Sequence, residues 1–168
     1  MPDPARRRIL FVCMGNICRS PAAEAVLRRL VAGRGLDGEV EIDSAGTIRY
    51  HAGDPPDPRM QRAGSERGLT IDGRARQVTL DDLDAFDRVI ALDRDNLADL
   101  ERLAGGRREH VRLLSDYLPD GEPVDVPDPY WGGERGFEEV LDLLERAAEA
   151  ILDDLLGKPE SPPESPAE

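Results

Sequence analysis

The sequence predicts an α/β fold in which helices cover both faces of a parallel β-sheet. Short apolar runs alternate along the chain with segments of helical periodicity. Strands joined through helices run parallel, and a parallel sheet must be covered on both faces. The length of 168 residues fits one domain, whose folded part we expect at residues 7–156.

The strand candidates are short runs with buried-strand composition. The first contains the apolar run Ile9-Leu10-Phe11-Val12, which is too short for a helix of its own. The complete set of predicted strands is Arg8–Cys13, Val40–Ser44, Arg88–Leu92 and Val111–Leu114.

Helical periodicity predicts a helix or a pair of helices after each strand. Ser20 and Pro21 fit the N-cap and first position of the first helix. An apolar stripe from Phe137 to Leu155 predicts that the last helix packs on the core. The predicted helices are Pro21–Ala32, Pro58–Arg67, Leu80–Phe86, Arg94–Leu103 and Glu134–Leu156.

Both ends of the chain are predicted to lie outside the folded domain. Residues 1–6 form a flexible N-terminus in this interpretation. Residues 157–168 are rich in Pro, Glu and Ser and lack an apolar pattern, which predicts a disordered tail.

Composition excludes several classes of partner. A net charge of −13 argues against nucleic acid and against an acidic membrane surface. Two cysteines five positions apart cannot form a disulfide framework, and no apolar run reaches membrane-spanning length. The run behind Arg6-Arg7-Arg8 is shorter than that of a signal peptide. We therefore expect a cytoplasmic protein, with export lacking a signal left open.

The loop after the first strand carries the chemistry. It begins at Cys13, ends at Arg19 and leads directly into a helix N-terminus, where free N–H groups and the helix dipole favour an anion. Thiols in such positions beside a cation have pKa values of roughly 3.5–7.5 instead of about 8.5. The pattern predicts a nucleophile, Cys13, and a phosphate-binding fork, Arg19.

The rest of the loop is predicted to shape the anion site. Gly15 permits a positive φ, and Asn16 tolerates a left-handed conformation. The predicted phosphate-binding residues are Met14, Gly15, Asn16, Ile17, Cys18 and Ser20.

This loop resembles the phosphate-binding loop of the bacterial type of low-molecular-weight protein tyrosine phosphatases. The resemblance continues through dispersed segments that span nearly the whole chain: Asp43–Thr47, Ala75–Gln77, Asp95–Leu97 and Asp128–Gly132. It implies a flavodoxin-like three-layer sandwich with strand order 2-1-3-4. It also implies hydrolysis of phosphotyrosine through a cysteinyl-phosphate, with no metal and no cofactor.

Under this resemblance Asp128 is the predicted general acid and base. Pro127 and Pro129 restrain the backbone on either side of it, so the carboxyl group can be aimed at the anion site. Asp125 is the nearest competitor. Asp-Pro is also ordinary turn chemistry, and the residues alone would favour that role.

Aromatic residues indicate the substrate. Tyr130 and Trp131 follow the predicted acid, and Tyr50 follows the second strand. Such side chains would form walls deep enough for an aryl phosphate and too deep for phosphoserine.

Ser44 and Asn16 resemble the family's hydrogen-bond network beneath the loop, and Ser20 is expected to donate to the thiolate. The histidine that many relatives carry before Ala-Arg-Gln is absent, with Gly73 or Arg74 in its place. The chain's own histidines, His51 and His110, match no motif and are assigned to surface or packing roles.

Other interpretations stay open at this stage. Cys18 is either a packing residue or the partner of an oxidised Cys13 in a disulfide. Arsenate reductases share the fold but need further cysteines, and phosphoarginine phosphatases tend to carry threonine where Ile17 stands. A non-catalytic phosphotyrosine-binding module is the third alternative. We expect a tyrosine-phosphorylated protein as the partner and a monomer or weak homo-oligomer.

Overall fold

The structure is a computed structural model that describes residues 6–157, apart from the side chains of Trp131 and Glu134. The predicted flexible N-terminus and disordered tail therefore lie outside the described residues, except for Arg6 and Gly157.

A four-stranded parallel sheet forms the centre of the fold, in the order β2-β1-β3-β4. This is the predicted fold class and strand order. Each strand begins within a residue of its predicted start. The strands are β1 (Arg7–Cys13), β2 (Val40–Gly46), β3 (Arg88–Ala91) and β4 (Val111–Leu113).

Within residues 6–157, five α-helices connect and cover the strands, as predicted, with ends shifted by a residue or two. They are α1 (Arg19–Gly33), α2 (Pro58–Ser65), α3 (Leu80–Ala85), α4 (Arg94–Ala104) and α5 (Glu134–Leu155). Two short 3₁₀ turns were not predicted, Leu114–Tyr117 and Pro129–Trp131.

The two faces of β1 pack into two separate apolar clusters. Ile9 and Phe11 contact the cluster formed with α1 and α5, whereas Leu10 and Val12 contact the cluster formed with α3 and α4. Alternation along the strand produces this division. Burying each such side chain stabilises the fold by about 1.5–3 kcal/mol, so the strand that carries Cys13 is held firmly from both sides. The apolar stripe of α5 is buried as predicted.

The carboxyl ends of the parallel strands meet at one edge of the sheet. Cys13 ends β1 and lies opposite Gly46 at the end of β2. Asp93 lies two residues after the end of β3 and caps α4. This edge is where ligands bind in open α/β sheets. Across residues 6–157, none of the helices combines the length and apolar character needed to span a bilayer.

Candidate active site

The loop from Cys13 to Arg19, here called the Cys13 loop, turns through Asn16. Asn16 has a φ of 58°, the left-handed conformation predicted for it. Gly15 has no positive φ, so its predicted role was wrong. A side chain there would instead crowd His51, because a Cβ atom would lie 3.1 Å from its Cδ2 and the imidazole would have to shift by a few tenths of an ångström. The loop thus turns at the asparagine, and the glycine makes room for a wall residue.

A second glycine lets β2 approach the loop closely. A Cβ atom on Gly46 would lie 2.6 Å from the carbonyl oxygen of Met14. The amide of Thr47 donates to the Cys13 carbonyl at 2.9 Å, and that of Ile48 donates to the Met14 carbonyl at 3.1 Å. The segment after β2 therefore extends the loop's support.

Cys13 is buried at the base of this loop. Its sulfur lies 3.0 Å from the hydroxyl oxygen of Ser20 and accepts a hydrogen bond of 3.3 Å from the amide of Asn16. The prediction of Ser20 as N-cap was wrong, since α1 begins at Arg19 and its N-cap, Cys18, makes no side-chain capping bond. The hydroxyl of Ser20 contacts the thiol instead of the helix backbone.

The side chain of Asn16 connects the loop to the sheet. Its amide nitrogen donates to Ser20 at 2.9 Å and to Ser44 at 3.0 Å, and its carbonyl oxygen accepts from the amide of Arg76 at 3.0 Å. Ser44 in turn donates to Glu24 at 2.8 Å. Burial raises the pKa of that carboxyl group, an effect partly offset by this hydrogen bond. These contacts hold the loop without the histidine that many relatives carry.

Arg19 is almost fully buried, with its guanidinium fixed at several points. One terminal nitrogen donates to Asp93 at 2.6 Å and to the carbonyl of Val126 at 2.9 Å, and the other lies 3.8 Å from Asp128. Burial would lower the pKa of Arg19, but the negative charges of Cys13 and the two aspartates raise it overall. The fork therefore stays charged and has a defined orientation.

Asp128 precedes the 3₁₀ turn Pro129–Trp131. Its carboxylate accepts a hydrogen bond of 3.0 Å from the amide of Tyr130 and faces Arg19. The competitor Asp125 is held on the surface by Arg94, whose side chain and amide both donate to it. Those hydrogen bonds lower the pKa of Asp125. The geometry thus places Asp128, and not Asp125, beside the Cys13 loop.

A pocket of about 250 Å³ brings most of the predicted residues together. It is lined by Cys13, Met14, Gly15, Ile17, Cys18, Arg19, Ile48, Tyr50, His51, Asp128 and Tyr130. The remaining predicted residues, Asn16, Ser20 and Ser44, support the loop through the hydrogen bonds given above. The side chain of Trp131 lies outside what the structure describes.

Sequence reasoning missed His51, which lines the pocket and does not merely pack on the surface. Its ring lies 4.8 Å from that of Tyr50, edge to face, and 6.2 Å from that of Tyr130. Its Nδ1 lies 3.3 Å from the carboxylate of Asp54. Its position directly after Tyr50 was the available signal. His110, in contrast, contacts the carbonyl of Leu83 at 2.6 Å, in keeping with a packing role.

Asp57 and Asp93 were missed as well, although each stands before a predicted helix. Asp57 caps α2, and Asp93 caps α4 while it pairs with Arg19. The hydrogen bond from the Arg59 side chain is the main cause of the lowered pKa of Asp57, and the neighbouring Cys18 adds a smaller contribution. Burial, together with the charge of Asp57, strongly raises the pKa of Cys18.

Both cysteines are free thiols in the structure. The disulfide between them stays a prediction. Among residues 6–157, no group of three or more His, Cys, Asp or Glu side chains is arranged to hold a metal ion.

Comparison with known proteins places this chain in a family. The family model described as low molecular weight phosphotyrosine protein phosphatase matches residues 8–160. A relative from Bacillus subtilis, the low molecular weight protein-tyrosine-phosphatase YfkJ, is 46% identical over 146 residues, covering 86% of this chain and 92% of the relative. The Homo sapiens low molecular weight phosphotyrosine protein phosphatase is 38% identical over 156 residues, or 91% of this chain and 98% of that one.

Comparison with solved structures gives the same family. The crystal structure of YfkJ superposes with a TM-score of 0.86 at 41% identity, covering 95% of this chain and all of that one. A Drosophila arginine phosphatase has a TM-score of 0.80 at 33% identity, covering 87% of this chain and 96% of that one. On these matches, the chain belongs to the low molecular weight phosphotyrosine protein phosphatase family.

Proposed function

We propose that this chain is a protein tyrosine phosphatase in which Cys13, Arg19 and Asp128 carry the reaction. The observation that supports this most directly is their meeting in one pocket, with the sulfur at the start of a loop that ends at a helix N-terminus. The phosphoryl group of the substrate binds between the loop's N–H groups and the Arg19 fork.

The first step transfers the phosphoryl group to sulfur. The Cys13 thiolate attacks phosphorus, a sulfur–phosphorus bond forms, and the bond from phosphorus to the phenolic oxygen breaks. Asp128 donates its proton to that oxygen, so tyrosine leaves as a neutral phenol. Hydrogen-bond donors that are already in place, including Arg19, stabilise the negative charge on the equatorial oxygens of the phosphoryl group.

The second step regenerates the enzyme. Asp128, now ionised, takes a proton from a water molecule as that water attacks phosphorus. The sulfur–phosphorus bond breaks, and Cys13 leaves as a thiolate. The hydroxyl of Ser20 and the amide of Asn16 stabilise the sulfur anion at this point, since both lie within hydrogen-bond distance of it.

The walls of the pocket support an aryl phosphate as the substrate. Tyr50 and Tyr130 are exposed aromatic side chains at its rim, and Ile17 is apolar. An aromatic ring can pack between such walls, and their depth keeps shorter phosphoserine side chains from the sulfur. We further propose a tyrosine-phosphorylated protein as the partner, a monomer or weak homo-oligomer, and a cytoplasmic location.

Phosphoarginine is the second candidate substrate, because the chain resembles a Drosophila arginine phosphatase in fold and sequence. The apolar Ile17 in the pocket argues for tyrosine, since a guanidinium-linked phosphate would profit from a polar neighbour. An arsenate reductase needs cysteines beyond the loop, and the chain has only the two within it.

Turnover of three substrates tests the proposal: p-nitrophenyl phosphate, a phosphotyrosine peptide and a phosphoarginine peptide of the same sequence. We expect the phosphotyrosine peptide to be preferred.

Cys13→Ser should abolish turnover and keep binding, whereas Arg19→Ala should lose both. Asp128→Ala should lower kcat by about 10²–10⁴ with little effect on affinity, and Asp125→Ala is its matched control. Wild-type turnover by Asp128→Ala would assign the acid to another residue.

A further inference from the structure

Arg59 stands out among the residues that the proposed mechanism leaves unused. It lies in the first turn of α2, between the Cys13 loop and residues 126–131, here called the acid loop because they contain Asp128. It contacts the acid loop and α5 directly, and it is joined to the Cys13 loop through Asp57.

On the side of the Cys13 loop, Arg59 binds Asp57, which is buried. The guanidinium of Arg59 donates to both carboxylate oxygens, with distances of 3.1 and 2.8 Å, and its amide donates to the same group at 2.8 Å. These hydrogen bonds, foremost that of the side chain, lower the pKa of Asp57. The amide of Asp57 donates to the carbonyl of Ile17 at 2.8 Å. The pair is therefore attached to the Cys13 loop.

On the other side, Arg59 contacts the acid loop. A terminal nitrogen of Arg59 donates to the carbonyl of Tyr130 at 3.2 Å. The guanidinium carbon also lies 5.5 Å from the ring centre of Tyr130 and 4.8 Å from that of the buried Phe137, near the start of α5. Such cation–π contacts add to the hydrogen bond and set the plane of the guanidinium.

The acid loop is thus held on both sides of Asp128. Upstream, the amide of Val126 donates to the carbonyl of Leu92 at 3.0 Å, and its carbonyl accepts from Arg19 at 2.9 Å. Downstream, Arg59 connects Tyr130 to the Cys13 loop through Asp57.

Proton transfer is sensitive to the position of the acid, because a displacement of about 1 Å can cost 10²-fold in rate. We propose that Arg59 is a positioning residue that fixes the acid loop so that Asp128 reaches the leaving oxygen. The inference rests on the proposed function. It does not require Arg59 to contact the substrate. A planar fork is required, because one guanidinium must bind a carboxylate and a carbonyl while it lies against two rings.

The leaving group of the substrate provides the test. Phenyl phosphate releases a basic phenolate, which must be protonated as it leaves. The phenolate released from 2,4-dinitrophenyl phosphate is weakly basic and leaves without a proton. We expect Arg59→Met, which keeps the apolar stem, to lower kcat/KM for phenyl phosphate about tenfold or more. The value for the dinitrophenyl ester should change less than about twofold. Arg59→Lys should show the same selective loss, of smaller size, and it covers the case in which Arg59→Met does not fold.

Two controls separate positioning from general damage. Arg102→Met removes an exposed arginine from α4 and should leave the ratio of the two rates unchanged. The affinity of Arg59→Met for vanadate, measured as inhibition, should stay at the wild-type value because the anion site is intact.

Loss of both rates to the same extent, loss of vanadate affinity, or a wild-type ratio in both Arg59 variants would each overturn the inference while the proposed function stands. A wild-type chain that turns over neither ester would overturn the proposed function, and the inference with it.

Discussion

The hydroxyl oxygen of Ser20 lies 3.0 Å from the sulfur of Cys13, inside the first turn of the helix that follows the loop. The side-chain nitrogen Nδ2 of Asn16 donates to that same oxygen at 2.9 Å. Because the oxygen accepts from Asn16, the hydroxyl hydrogen has two acceptors within reach, the sulfur at 3.0 Å and the carbonyl of Ala45 at 3.4 Å. The residue that looks like a helix cap is therefore placed to stabilise a thiolate.

Removing this hydroxyl should slow the release of sulfur from phosphorus. A hydrogen bond to a charged group contributes about 1.5–3 kcal/mol, so we expect Ser20→Ala to lower kcat for p-nitrophenyl phosphate by about tenfold to a hundredfold. Ser115→Ala, at a buried serine outside the pocket, is the control and should retain kcat. Equal kcat values for Ser20→Ala and wild type would contradict the assigned role.

The orientation of Arg19 should depend on Asp93. Asp93→Asn keeps an oxygen for the amide of Asn96 and remains a good N-cap for α4, but it removes the charge that pairs with Arg19. We expect kcat/KM to fall about tenfold, since the fork loses a charge-assisted hydrogen bond, while the melting temperature changes little. Asp95→Asn removes the same charge from the same helical turn. If both variants had the same kcat/KM, the pair with Arg19 would have no role in orienting the fork.

Much of the fold could be predicted because local patterns determine it. The apolar run of β1 and the stripe of α5 follow the two periodicities of strands and helices, and both are buried where expected. Cys13, Arg19 and Asp128 line one pocket, although Asp128 is far along the chain. The family pattern made that pairing predictable, because no local rule connects residues so far apart.

The errors have a common physical origin in contacts between distant segments. Ser20 is a typical N-cap residue, but its hydroxyl oxygen instead accepts from Asn16 and lies beside the sulfur of Cys13. Gly15 has the flexibility for a positive φ but does not use it, and what favours a glycine there is the nearby ring of His51, which belongs to the segment after β2. Neither contact can be derived from the local sequence.

Asp154 in the last turn of α5 should contribute to stability at neutral pH. It accepts from Tyr117 at 2.6 Å, from Arg88 at 2.8 Å and from Arg112 at 3.2 Å. Burial would raise the pKa of Asp154, but the hydrogen bonds from Arg88 and Tyr117 outweigh it and lower the pKa in the folded state. We expect Asp154→Asn to lower the free energy of unfolding by about 1–3 kcal/mol at pH 7.

The sign of the pH dependence follows from that lowered pKa. The stabilisation is complete above the unfolded pKa of about 3.9 and is lost as the pH falls through the folded value. Urea unfolding of wild type and Asp154→Asn should therefore give a large difference at pH 7 and a small one at about pH 2. Asp153→Asn, whose pairing with Arg34 at 3.7 Å is partly exposed, should stay within about 0.5 kcal/mol of wild type. A difference for Asp154→Asn that is independent of pH would exclude this ionic contribution.

The two thiols of the Cys13 loop should differ in reactivity although both are buried and line the same pocket. Cys18 faces the carboxylate of Asp57, and its pKa is strongly raised by burial and by that charge, so it stays protonated at neutral pH. The sulfur of Cys13 instead accepts a hydrogen bond from the backbone amide of Asn16 and lies 3.0 Å from the hydroxyl oxygen of Ser20. Because thiolates and not thiols react with alkylating reagents, we expect iodoacetamide at pH 7 to modify Cys13 and spare Cys18. Peptide mass spectrometry of the partly inactivated enzyme measures the extent of alkylation at both cysteines. The Cys18→Ser variant, whose hydroxyl can still donate to Asp57, should be inactivated at the wild-type rate. Label that accumulates on Cys18 as fast as on Cys13 would contradict the difference between the two environments.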